Sequence, residues 1–204
     1  MVKLNYIERE GDLMSVLINI AGAPGVGKST LAAKLFYKLK EMGLNAELAL
    51  EYCKGYAIEK REITPYSELY FFGKQSHIES TLFHKTDYIV SDSPTYLAGM
   101  YEYIYHGENS LSEACKAFYR KADKDGIKIL NFLLPMRKRY NPKGRFQTKE
   151  QAASIDRDMR SWLDSEGYKY EVLDIPDSKR INRIIDRLKE VTDIKMVEED
   201  DGQD

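Results

Sequence analysis

The chain has 204 residues, 43% of them hydrophobic, with 31 basic and 33 acidic side chains giving a net charge of −2. That length suits one α/β domain with a single core, and the near balance of charge excludes a global field that would draw the chain to DNA or to a membrane surface. No apolar run approaches the roughly 20 residues that span a bilayer, residues 1–11 lack a secretory h-region, and Cys53 and Cys115 supply neither a disulfide framework nor a zinc spacing, so a soluble cytoplasmic protein is expected.

The first predicted element is a strand over residues 16–20, a continuous apolar run broken only by Asn19. Gly22, Ala23, Pro24, Gly25, Val26, Gly27, Lys28 and Ser29 follow, then Thr30. They fit G-x-x-x-x-G-K-[ST], the phosphate-binding loop, in the strand–loop–helix context the pattern requires. Glycines let successive backbone N–H groups turn towards phosphate oxygens, and the start of the next helix adds its partial positive charge. Lys28 is expected to reach the β- and γ-phosphates of ATP and the Ser29 hydroxyl to ligate Mg²⁺.

The helix over residues 30–41 carries Leu31, Leu35 and Leu39 as a stripe and ends at Gly43. A second strand over 45–50 ends at Glu51, Tyr52, Cys53 and Lys54. Thr64 and Pro65 predict the cap and first position of a long helix, along which Phe71, Gln75, Ile78 and Leu82 share a face. A third strand over 87–91 stops at Asp92, Ser93 and Pro94, and a helix over 95–106 follows. Ser110 and Glu113 suggest a capping box for the next helix, which presents Leu111, Ala114, Cys115, Phe118 and Ala122 on one side. Residues 127–134 form an apolar fourth strand.

Residues 136–147 then turn polar and cationic: Arg137, Lys138, Arg139, Lys143 and Arg145 place five cations within nine residues with no acid among them. Asn141, Pro142 and Gly144 favour a loop there. Thr148 and Gln151 suggest a second capping box, ahead of a helix that buries Ala152, Ile155, Met159 and Trp162. A fifth strand is expected over 168–175, and a last helix, capped by Asp177 or Ser178, shows Ile181, Ile184, Ile185 and Leu188 at helical spacing. Strands alternating with helices predict an α/β fold, here a three-layer sandwich of the P-loop NTPase type with a mainly parallel five-stranded sheet. It is expected to occupy residues 1–192 as one domain, with the cationic segment at about 136–148 as a lid and an acidic tail over 193–204.

Ligands of such sheets bind beyond the carboxyl ends of the strands. The phosphate loop, Glu51, Asp92 and the cationic segment all follow strand ends, so they are expected to converge. Asp92 is expected to hold Mg²⁺ with Ser29; the plainer reading is a helix cap, a position Ser93 fills better. Glu51 can take a proton from an attacking hydroxyl or bind a sugar, and the plainer reading is a solvated loop side chain. Gln75 interrupts an apolar stripe and points either to a pocket or to the core edge. Lid arginines, principally Arg139 and Arg145, can stabilise the charge of a transferring phosphoryl group, against the plainer reading of a solvated turn. His77, His84 and His106 have no mutual metal spacing and are expected at the surface. Of the 15 tyrosines, Tyr96, Met100 and Tyr103 share one helical face and Tyr101 and Tyr105 another; core packing is expected for both, with a stacking surface for a base as the sharper reading.

The loop at 22–29 resembles those of P-loop kinases. Glu51-Tyr52-Cys53-Lys54 resembles the Glu-Tyr-Ala-Arg segment of the NadR-like ribosylnicotinamide kinases, Gln75 resembles their helical glutamine, and Ile89-Val90-Ser91-Asp92-Ser93 resembles their acidic strand end. Residues 140–148 resemble the lid of phage-encoded relatives described as AAA-type ATPases or nucleotide kinases. The resemblance covers most of residues 15–188; Lys54 stands where the family has arginine. It implies an ATP- and Mg²⁺-dependent phosphotransferase acting on a hydroxyl of a nucleoside or nucleotide-like acceptor, with Glu51, Tyr52 and Gln75 on the acceptor side, either Glu51 or Asp92 orienting the nucleophile, and a phage-encoded protein acting in a host cytoplasm as one setting. A kinase of 5-hydroxymethyluracil in DNA is the alternative within that chemistry. A partner-activated P-loop ATPase is the alternative outside it. A GTPase is disfavoured, because no Asn-Lys-x-Asp stands near a strand end, and a full AAA+ motor needs a further helical domain for which there is little room.

Overall fold

Six consecutive side chains with no exposure at all dictate where the sheet begins. β1 (Val16–Ala21) is buried along its whole length. Alternate residues of a strand face opposite sides of a sheet, so full burial means that both faces of β1 are covered. The computed structural model describes residues 14–64, 66–136 and 147–192. Pro65, the five cations of the expected lid with Arg139 and Arg145 among them, residues 1–13 and the acidic tail lie outside the described residues.

The chain continues through α1 (Lys28–Glu41), β2 (Ala46–Ala49), α2 (Lys54–Glu59), α3 (Ser67–Ser80), β3 (Tyr88–Ser91), α4 (Tyr96–His106), α5 (Ser110–Lys124), β4 (Lys128–Leu133), α6 (Lys149–Ser165), β5 (Glu171–Val172) and α7 (Asp177–Val191). The strands form one sheet in the order β2-β3-β1-β4-β5. Every pairing in it is parallel, with Val16 beside both Tyr88 and Lys128. The α/β, P-loop NTPase-type fold expected from the sequence is the one observed. α1 packs on β1, β2 and β3 with α7 against it, while α3, α4 and α5 pack together and α6 adjoins α4. The core runs from Leu17, Ile18 and Ile20 through Leu35 and Leu39 to Ile89, Phe132, Trp162 and Leu188. Among the described residues no helix is long and apolar enough to cross a membrane.

Local details depart from expectation where side chains choose other partners. α2 was not expected; it buries none of its residues, so no apolar stripe marks it. The long helix opens at Ser67 instead of Thr64–Pro65, because the Ser67 N–H still bonds back to the Thr64 carbonyl at 2.9 Å in a turn that precedes it. Ser110 and Glu113 form no capping box. Glu102 of α4 takes that place, accepting from the Ser110 hydroxyl at 2.5 Å and the Leu111 N–H at 2.8 Å. Neither Asp177 nor Ser178 caps α7, whose N-cap is Pro176. β5 is two residues long because it is an edge strand paired only with Phe132 and Leu133. The Thr148–Gln151 capping box is present in both directions.

Candidate active site

A parallel sheet puts the carboxyl ends of all its strands on one edge, and three of the expected acidic and phosphate-binding features meet there. The loop after β1 wraps tightly because it can: Gly22 and Gly27 take φ of 147° and 101°, a region that side chains disfavour. A Cβ on Gly22 would stand 2.8 Å from the Leu134 carbonyl oxygen and 2.8 Å from Val26 Cγ2. Gly27 is the N-cap of α1, and its carbonyl accepts from the Leu31 N–H at 3.0 Å. Ala23, Pro24 and Val26 are buried and Gly25 is half-buried, whereas Ser29 is half-buried and Thr30 exposed. Lys28 is buried and curls back over the loop, donating from Nζ to the Gly22 carbonyl at 2.9 Å.

Asp92, at the end of β3, is 1% exposed. Its Oδ1 accepts from the backbone N–H of Glu51, at the end of β2, over 2.7 Å. Burial pushes the Asp92 carboxyl above its ordinary range; the Ser29 hydroxyl beside it pulls the other way, the Glu51 charge adds to the rise, and Lys28 opposes it. Asp92 Oδ2 is buried and accepts no hydrogen bond among the described residues. A carboxyl with one orphaned oxygen, beside a serine hydroxyl, offers hard, all-oxygen donors, and it fits Mg²⁺. The plainer reading of Asp92 as a helix cap is not what is observed: α4 has Thr95 at its N-cap with no side-chain cap bond, from Ser93 or any other residue.

The side expected to receive the acceptor is organised by α3. Gln75 is buried, and its Oε1 accepts from the Tyr52 N–H at 3.1 Å, fixing the turn after β2. The Glu51 carboxylate accepts from the Cys53 thiol at 3.1 Å; burial, then the Glu51 charge, drives that thiol's pKa far up. Lys54 reaches back to the Ser29 hydroxyl at 3.4 Å, towards the phosphate loop. The Tyr52 hydroxyl pairs with that of Tyr70 at 2.7 Å.

One turn beyond Gln75 stands a residue that sequence reasoning passed over. Glu79 is fully buried. Its carboxylate accepts from the Ser91 hydroxyl at 2.8 Å, the Thr95 N–H at 3.1 Å and the Thr95 hydroxyl at 2.8 Å. Burial lifts its pKa to about 7 against those hydrogen bonds, which favour the ionised form. It clamps the segment carrying Asp92 to α3. A signal was available: Glu68, Phe71, Gln75 and Glu79 fall at helical spacing on one stripe of α3, and three of these four are polar.

A cavity opens between the loop and helices α3 and α4, lined by Lys28, Glu51, Tyr52 and Gln75 on one side and by Glu68 and Tyr105 among others further along. Its empty space is about 880 Å³ with the open solvent at its mouth included. Tyr101 and Tyr105 line it with rings stacked 5.6 Å apart at 7°; Tyr101 also packs against the core as expected, whereas Tyr105 is exposed there. Tyr96 and Met100 are core residues as expected, and Tyr103 is exposed. Gln147 donates to the Tyr105 hydroxyl at 2.8 Å. Among the described residues no three His, Cys, Asp or Glu side chains group as a metal cluster. His77 and His84 are exposed, and the His106 imidazole lies 3.6 Å from Glu68.

The sequence profile of an AAA domain family matches residues 17–180. No curated protein sequence matches the chain. Among solved structures, NadR protein in complex with NR aligns at 18% identity with a TM-score of 0.66, covering 90% of this chain and 53% of that one. NadR protein in complex with NAD and AMP-PNP aligns at 19% identity with a TM-score of 0.65, covering 90% and 51%. Deoxyadenosine kinase from M. mycoides, with dCMP and dCDP bound, aligns at 13% identity with a TM-score of 0.52, covering 88% and 100%. The chain spans about half the length of the NadR proteins it matches. These likenesses show the fold of P-loop kinases.

Proposed function

The chain belongs to the AAA domain family matched over residues 17–180, and from that membership and the site geometry we propose that it is an ATP-dependent phosphotransferase acting on a hydroxyl of a nucleoside or nucleotide-like acceptor. The observation that carries the reading is that Lys28 of the phosphate loop and Glu51 and Gln75 of the acceptor side line one cavity. A donor loop alone needs no such pocket, whereas phosphoryl transfer needs donor and acceptor held in line within one enclosure.

In this reading the phosphates of ATP lie against the backbone of residues 22–29, and Lys28 exchanges its loop carbonyl for the β- and γ-phosphate oxygens. Ser29 and Asp92 would hold Mg²⁺, which when bound neutralises charge on those oxygens. The acceptor hydroxyl forms a bond to the γ-phosphorus as the bond to the β-γ bridging oxygen breaks and ADP leaves. Its proton passes to the Glu51 carboxylate. Asp92, fixed by the Glu51 N–H and turned towards Ser29, serves the metal; Glu51 serves the nucleophile. Tyr52 and Gln75 shape the acceptor side, and Arg139 and Arg145 are the cations assigned to the transferring group.

The test is transfer of label from γ-labelled ATP with Mg²⁺ to a panel of nucleosides, nucleotides and DNA containing 5-hydroxymethyluracil. Label on a free nucleoside or nucleotide is expected. Label on the DNA alone would replace this acceptor by the DNA base, and hydrolysis that ignores every acceptor and rises with an added protein would replace the kinase by a partner-activated ATPase.

A further inference from the structure

Glu68 has no part in the chemistry just described, yet it is built into the same cavity. It sits in the first turn of α3 with its side chain 5% exposed. An acid in a helix's first turn needs only to be near the N–H groups there; solvent-facing positions serve that purpose, and burial is an added cost. Burial indeed raises the Glu68 carboxyl above its ordinary range, with its own backbone N–H and His106 opposing. Oε2 accepts no hydrogen bond among the described residues, and the His106 imidazole stands 3.6 Å from it. Phe71 and the stacked pair Tyr101 and Tyr105 line the same space. Flat rings on the walls suit a flat ring between them. A carboxylate offers only acceptor oxygens, so a ring placed there gains by presenting a donor and loses by presenting a carbonyl.

We propose that Glu68 is the specificity residue of the acceptor pocket, and that the acceptor is a nucleoside-like compound whose planar ring carries an amine on the edge facing it. The proposal rests on the acceptor occupying this cavity in the phosphotransferase reading. A site built to hydrogen-bond a donor rejects the analogue that lacks it far more strongly than an apolar pocket rejects a change of shape. The carboxylate therefore sorts ring edges, while Glu51, Asp92 and Lys28 act on whichever acceptor is seated.

The experiment is equilibrium binding to the full chain loaded with Mg²⁺ and a non-hydrolysable ATP analogue. Two probe pairs exchange a ring amine for a carbonyl: cytidine with uridine, and adenosine with inosine. At least one amine-bearing member is expected to bind tenfold or more tighter than its carbonyl partner. In Glu68→Gln that ratio is expected to fall towards one, since a carboxamide can serve either edge, with affinity for the ATP analogue unchanged. Equal binding within both pairs, preference for the carbonyl members, no binding by any of the four, or an unaltered ratio in Glu68→Gln overturns the proposal. Label transfer from ATP measured alongside keeps the two readings apart: discrimination without transfer upholds Glu68 and overturns the phosphotransferase.

Discussion

The backbone N–H of Glu51 donates to Oδ1 of Asp92 over 2.7 Å. One hydrogen bond thus joins the ends of two adjacent strands at the points where each delivers an acid. It also leaves Asp92, a carboxyl beside the Ser29 hydroxyl, with one oxygen committed to the backbone and the other without a hydrogen bond among the described residues.

Asp92→Asn keeps a carbonyl oxygen for the Glu51 N–H and removes the charge. The fold should persist, with an unchanged far-UV circular dichroism spectrum. The Mg²⁺ concentration for half-maximal transfer should rise at least tenfold, and kcat/KM should fall by about 10²–10³, the scale of losing one preorganised electrostatic contact. An unaltered Mg²⁺ requirement would remove Asp92 from the metal site.

Glu51→Gln keeps the backbone donor to Asp92 and removes the proton acceptor. The kcat should drop by roughly 10²–10⁴, with little change in the KM for ATP, because in the proposed arrangement ATP contacts the loop and not this side chain. A raised KM for ATP at constant kcat would instead place Glu51 on the donor side. Steady-state kinetics with both substrates varied separates the two.

Gly22→Ala should be costly and Gly73→Ala should not. The new methyl at position 22 meets the Leu134 carbonyl oxygen at 2.8 Å, a backbone atom held by the sheet, at a φ of 147°. Strain of this kind costs roughly 1–3 kcal/mol, which lowers Tm by several degrees in a chain of this size. ATP affinity should fall with it. At position 73, in a helix, an added methyl meets nothing within 4 Å, so Gly73→Ala should be neutral or raise Tm slightly. Thermal melts of the two variants check both directions.

Glu79 ties stability to pH. Its carboxyl ordinarily titrates near 4.5 and in the folded chain near 7, so between those values the folded state holds a proton that the unfolded state has released. Stability from this group is complete below pH 4.5, declines as pH rises towards 7, and is level above it. The full span is of the order of 3 kcal/mol as an upper bound. Glu79→Gln can keep its bonds to Ser91 and Thr95 without titrating. Its Tm relative to the parent should therefore rise from pH 4.5 to pH 7 and then stay constant. A difference independent of pH would contradict the assignment.

Much of this was readable because it is local. An apolar run broken only by Asn19 makes a central strand, a glycine pattern makes a loop, and Thr148 with Gln151 makes a cap, whatever the rest of the chain does. The errors concern partners distant in sequence. Ser110 has the spacing of a capping residue, but Glu102 reaches its helix first. Tyr105 looks like a core residue until α3 is placed across from it. Glu79 reads as an ordinary helical glutamate, and only the meeting of α3 with the end of β3 gives it Ser91 and Thr95. α2 has no buried residue from which any pattern could be read.

Helix α3 divides its labour along its length. Its second half holds the machinery in register: Gln75 grips the turn after β2, and Glu79, one helical turn on, grips the turn after β3. Its first half, with Glu68 and Phe71, lines the cavity and meets Tyr52, whose hydroxyl pairs with that of Tyr70. The 11 residues from Glu68 to Glu79 correspond to about 16 Å of helix, so Glu68 stands well away from the clamp that Glu79 makes. A chain built this way can exchange one acceptor for another through substitutions near residue 68 while the spacing of Glu51 and Asp92 stays fixed. Diversification of substrate and conservation of chemistry are thereby assigned to opposite ends of the same helix.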